Sequence, residues 1–95
     1  MKGGNVNEFI DNMSYGDELV FVYCGRKLFL QGWHKDGVHE MMLDQWEPFV
    51  EPWQGYLWKH SADSMKKCVD AFLEAPIFDG KRFWDVEAEI EWVDA

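Results

Sequence analysis

Asp17, His34 and His39 fall in one row across a sheet if the stretch from Glu18 to Trp46 folds as three antiparallel strands joined by two-residue turns. Two imidazoles and a carboxylate whose Cβ atoms stand about 5 Å apart on neighbouring strands can hold a divalent metal. The tip of a hairpin also carries solvated polar side chains for no reason beyond solubility, and that reading ranks ahead of the metal. His60 lies far along the chain and has no spacing that would make it a further histidine ligand. No Gly-rich phosphate loop, zinc-finger spacing or nucleophile elbow occurs, and neither Cys24 nor Cys68 has a histidine close to it in sequence. No catalytic residue and no cofactor is therefore assigned, although distant residues can converge in a fold.

The elements that would position this row follow from local chemistry. Glu18 to Tyr23 is rich in β-branched and aromatic residues, and Gly25-Arg26 after it offers glycine where a type II′ turn needs positive φ. Leu28 to His34 returns, Asp36-Gly37 supplies a type I′ turn, and His39 to Trp46 forms a third strand, so the fold class is α+β built on a three-stranded antiparallel meander. With Cys24 opposite Lys27 and Lys35 opposite Val38, one face carries Leu19, Phe21, Tyr23, Leu28, Leu30, Met41 and Leu43, and this is the expected core. The opposite face carries Val20, Val22, Phe29, Trp33 and Met42, bordered by Glu18, Glu40 and Asp44.

Around the meander, Phe9, Ile10 and Met13 have helical spacing within a short helix from Asn7 to Met13 that Asn5 or Asn7 can cap. The segment from Phe49 to Trp58 holds Pro52 and Gly55, which argues for a loop, and aromatics at 49, 53, 56 and 58 that would anchor it. It could fold over the second face, and Tyr56 to His60 could add a short strand. Ser61 can cap a helix from Ala62 to Ala75, where Met65, Cys68, Val69, Phe72 and Leu73 recur at three and four residues, and Pro76 ends it. From Phe83 to Val93 two patterns compete. Trp84, Val86, Ala88, Ile90 and Trp92 alternate as in a strand, whereas Phe83, Val86, Ile90 and Val93 make a helical stripe. The glutamates favour the helix, with an extended end near Trp92. Both C-terminal helices are expected on the core face.

Ninety-five residues suit a single domain, 1–95, able to bury about 60–65% of its unfolded surface. Six tryptophans, seven phenylalanines and three tyrosines are many for that length, enough to leave some for a partner. Eighteen acidic against nine basic residues give a net charge of −9, which argues against direct contact with nucleic-acid phosphates or anionic lipid. Two cysteines without a CxxC pair, and no apolar segment of signal-peptide or membrane-spanning length, are expected of a cytoplasmic protein with free thiols.

Gly16-Asp17-Glu18-Leu19-Val20-Phe21-Val22-Tyr23, Ala75-Pro76-Ile77-Phe78-Asp79-Gly80-Lys81 and Glu89-Ile90-Glu91-Trp92 together resemble small hypothetical α+β proteins of Gram-positive bacteria. The resemblance spans most of the chain and implies a small bacterial domain, with no activity, cofactor or site residue attached to it.

Three functions are open at this level. The preferred one is a non-catalytic interaction module in which Val20, Val22, Phe29, Trp33 and Met42 bind a protein partner or a second copy of the chain, because two helices cover one side of a three-stranded sheet and hardly both. A small enzyme or metal-binding protein would use Asp17, His34 and His39. An acidic inhibitor imitating nucleic acid would need Asp85, Glu87, Glu89 and Glu91 aligned along one strand edge.

Overall fold

Cys24-Gly25, Asp36-Gly37 and Asp79-Gly80 each place two successive residues at positive φ, 51° and 73°, 53° and 80°, and 56° and 84° respectively. Such pairs make type I′ turns, whose twist matches that of the strands they join. The computed structural model describes residues 1–48 and 55–94. Within them the first two turns connect β1 (Leu19–Tyr23), β2 (Arg26–Lys35) and β3 (Val38–Glu47), and the third closes a small reversal at Phe78 and Lys81.

The sheet is larger than a three-stranded meander. β4 (Trp58–Ala62) pairs antiparallel with β3, and β5 (Glu91–Asp94) pairs antiparallel with β1, so five strands run in the order β4-β3-β2-β1-β5. The expected short strand in Tyr56 to His60 is thus real and sits two residues later. β5 bears out the extended end expected near Trp92, but the helical reading of Phe83 to Val93 holds only for its first turn. A four-residue helix, α3 (Phe83–Val86), passes into a 3-10 turn over Glu87–Glu89, and the chain then extends. Tertiary pairing overrides helix propensity here: Trp92 lies opposite Phe21, and its ring meets Phe9 edge-on at 5.4 Å.

The second hairpin has the expected register, with Lys35 opposite Val38 and His34 opposite His39. The first differs by two residues, since Tyr23 faces Arg26 and Leu19 faces Leu30. The turn is Cys24-Gly25, not Gly25-Arg26. Side chains alternate with a period of two, so a shift of two leaves every residue on its face and the apolar pattern cannot tell the two registers apart. The Arg26 guanidinium stands 5.8 Å from the Tyr23 ring centre and reaches Asp79 at 3.2 Å.

α1 (Val6–Ser14) is capped by Asn5, whose side chain accepts from the Asn7 and Glu8 amides at 2.8 and 3.4 Å. α2 (Met65–Glu74) is capped by Ser64, which accepts from the Lys67 amide at 3.2 Å, so Ser61 stays in β4. α1, α2 and α3 all contribute to one buried cluster with Leu19, Phe21, Leu28, Leu30, Met41 and Leu43. Phe9, Phe72, Phe78 and Phe83 fill it from the helical layer, with Phe72 edge-on to Phe78 at 6.0 Å and to Trp58 at 5.6 Å. No helix among the described residues is long and apolar enough to cross a membrane.

Candidate functional site

Because the three helices share one side of the sheet, the other side carries no helix among the described residues. β-strand alternation puts Val20 and Val22 of β1, Phe29 and Trp33 of β2, and Met42 of β3 on that side, as the sequence implies. They are not equally accessible. Val20 and Met42 are 9% and 4% exposed, while Val22 and Phe29 are half-buried. Register accounts for part of this, since Gln31 and Lys59 flank Met42 across the strands and Phe29 and Asp94 flank Val20. Trp33 is 65% exposed.

Two aromatic features remain on the surface of this face. At one end Trp46, 45% exposed, stacks on Phe29 with ring centres 4.4 Å apart and planes 20° apart. At the other, the Trp33 indole Nε1–H donates to Glu40 Oε1 at 3.2 Å. The Ser61 hydroxyl donates to Glu40 Oε2 at 3.0 Å, and Lys59 Nζ lies 3.6 Å from Oε1. One carboxylate thereby fixes the Trp33 ring. Beside it, Trp33, His34, Lys35, Val38 and Glu40 line a shallow hollow of about 130 Å³, roughly four waters' worth of space. Strand parity with Met42 and Asp44 puts Trp46 on this face, but its stacking on Phe29 is seen only in the structure. Sequence reasoning missed Lys59 and Ser61, which reach Glu40 only because β4 joins the sheet.

The Glu40 network carries a pH dependence. Burial alone would raise the Glu40 carboxyl, but the hydrogen bonds from Trp33 and Ser61 and the charge of Lys59 outweigh it and hold the group below its ordinary value of 4.5. A depressed carboxylate contributes stability above the unfolded value and loses it as pH falls through the folded one. An acid titration of the Trp33 indole N–H resonance should therefore show a midpoint below 4.5. Glu40→Gln should flatten it. A midpoint at or above 4.5 in the parent protein would mean that the network does not hold Trp33.

The Asp17, His34 and His39 row does not assemble. His34 and His39 do stack, with ring centres 5.1 Å apart, and His39 Nδ1 is buried without a hydrogen-bond partner among the described residues. Asp17 precedes β1, and the two-residue shift of the first hairpin removes it from the row. Gly16 instead packs on β2, close enough that a Cβ on Gly32 would lie 3.3 Å from the Gly16 Cα. His60 stacks on Trp58 at 6.0 Å. Among the described residues no group of three or more His, Cys, Asp or Glu is placed to hold a metal ion. Cys24 is exposed, whereas Cys68 is buried with its thiol pushed up by desolvation, which disfavours the reactive thiolate.

The acidic residues near the C-terminus do not form a strand edge either. Asp85 belongs to α3, where its carboxylate accepts from the Arg82 amide at 3.0 Å, and Glu87 pairs with the Met1 ammonium. Glu89 ends the 3-10 turn and Glu91 begins β5 beside Lys2. Of the loop expected to cover the second face, Phe49 to Gln54 lie outside the described residues. Tyr56 and Leu57 are exposed, and Trp58 turns inward against Phe72. Compared with protein-family models, curated proteins and solved structures, the chain matches none of them.

Proposed function

We propose that the chain is a non-catalytic interaction module that docks another protein on the helix-free face of its sheet. The observation that carries this reading is Trp33, a large indole left mostly in water yet held in one orientation by Glu40. An ordered, accessible tryptophan has little rotamer freedom left to lose on binding, and tryptophan is among the residues most enriched at binding hot spots. The half-buried Val22 and Phe29 continue the same face over the buried Val20 and Met42, and Trp46, stacked on Phe29, widens the surface at the far end.

A photo-crosslinking amino acid at Gln31, beside Met42 on this face, tests the reading against the same group at Asp70, exposed on α2. In an extract of the source cells, or in the pure protein if the partner is a second copy, Gln31 should give a discrete adduct that Asp70 does not, and Trp33→Ala should abolish it. Equal or absent labelling at the two positions would defeat the proposal.

A further inference from the structure

We propose that His34 and His39 form a proton-operated latch on the tip of the β2–β3 hairpin, closed while both rings are neutral and opened when acid charges them. The pair shares the sheet face of Leu30 and Met41, on the helical side, so the latch stands apart from the docking role proposed above. The two residues lie opposite each other, and their rings stack with centres 5.1 Å and planes 24° apart. His34 is exposed and His39 half-buried. His39 Nδ1 is itself buried and has no hydrogen-bond partner among the described residues.

That arrangement suits a neutral imidazole. With its proton on Nε2, His39 presents a bare lone pair at Nδ1 and leaves no buried N–H unmatched. Protonation makes both nitrogens donors and places a charged N–H where no acceptor stands, which is costly to bury. A proton on His34 as well sets two like charges against each other in the stack. Both costs vanish when the His39 ring turns out into water. The His34–His39 pair is the last before Lys35 and Val38, which flank the Asp36-Gly37 turn, so residues 35–38 lose their hold when it parts.

The neighbours hold the backbone of His39 more than they neutralise its ring. On β4, Ala62 lies opposite His39, and His60 is two residues before it. From α2 the Cys68 thiol donates to the His39 carbonyl at 3.5 Å. The carboxylate of Asp63 interacts with His39, but it is tied to Lys67 at 2.8 Å, and that bond is the main reason its carboxyl stands below its ordinary 3.8. Lys35 and Asp36 bring one charge of each sign to the tip. Glu40, on the other face, is engaged by Trp33, Ser61 and Lys59.

The test follows the full chain by nuclear magnetic resonance from about pH 8 to about pH 5, the span in which imidazole side chains change charge. Ring nitrogen and carbon shifts report the tautomer and charge of each histidine. At the upper end His39 should be neutral with its proton on Nε2. As its ring charges, protection of the Val38 amide, corrected for the intrinsic effect of pH on exchange, should fall roughly tenfold, while that of Leu30 stays constant. The Trp33 indole resonance should not move over this span, because Glu40 holds it from the opposite face. His39→Phe, which keeps a stacked ring without a proton site, should make Val38 protection independent of pH. His34→Phe, which removes the second charge, should reduce the fall. Thermal melting checks that both variants are folded.

A His39 ring that charges while Val38 protection stays constant would overturn the latch, as would a ring that stays neutral throughout. An equal fall in His39→Phe would also overturn it, by showing that the tip frays without the imidazole.

Discussion

Phe72→Ala should cost about 3–5 kcal/mol of stability, whereas Trp33→Ala on the opposite face of the sheet should cost less than about 1 kcal/mol. The difference follows from what each ring touches. Phe72 is wholly buried, with Trp58, Phe78 and Phe83 ring centres at 5.6, 6.0 and 6.0 Å, so its removal leaves a cavity bounded by rigid rings that cannot easily collapse. A domain of this size has a net stability of about 5–15 kcal/mol, and the loss should lower its melting temperature by more than about 12 °C. Trp33 is 65% exposed, and its loss leaves Glu40 still bonded to Ser61 and close to Lys59. Paired calorimetric melts decide the matter. If Trp33→Ala costs as much as Phe72→Ala, the indole belongs to the core and is no docking anchor.

Much of this division into two faces was legible in the sequence, because it depends on parity alone. Leu19, Phe21, Leu28, Leu30, Met41 and Leu43 occupy positions of one parity in each strand, and any register preserving that parity buries them together. The first hairpin shows the limit of such reasoning. Registers two residues apart give identical faces, so the choice passes to turn chemistry, and Cys24 takes a positive φ of 51° although cysteine is no favoured residue for it. That small displacement takes Asp17 out of line with His34 and His39. A site of three residues on three strands is sensitive to an error that the core does not feel.

β4 and β5 were harder to read for a different reason. Trp58–Ala62 and Glu91–Asp94 are edge strands of five and four residues, too short for alternation to separate them from a loop or a helical turn. Their strand character comes from β3 and β1, which offer unpaired backbone groups along edges already fixed by the hairpins. The part of the candidate site that depends on them, Lys59 and Ser61 against Glu40, was hidden with them. Trp33 needed no such support, since the second hairpin alone sets its face and its position opposite Glu40.

Gly3→Ala should cost about 2–4 kcal/mol, more than the same change at Gly25. Both glycines have positive φ, 76° and 73°, so alanine incurs a backbone cost of about 1–2 kcal/mol at either site. At Gly25 nothing lies within 4 Å of the new Cβ. At Gly3 the Cβ would run into the Trp92 carbonyl oxygen, and at the next residue Gly4 it would run into the Trp92 ring. The N-terminal segment would have to leave β5, breaking the bonds from the Lys2 amide to the Ile90 carbonyl and from the Trp92 amide to the Lys2 carbonyl, both 2.8 Å. The consequence reaches the core, because Trp92 closes over Phe9 and its strand forms the edge of the sheet beside β1. Hydrogen exchange at the Trp92 amide should accelerate in Gly3→Ala and stay protected in Gly25→Ala, with the larger fall in melting temperature in the former. Equal destabilisation of the two variants would show that the backbone cost is the whole effect and that the Gly3-Gly4 segment does not pack on Trp92.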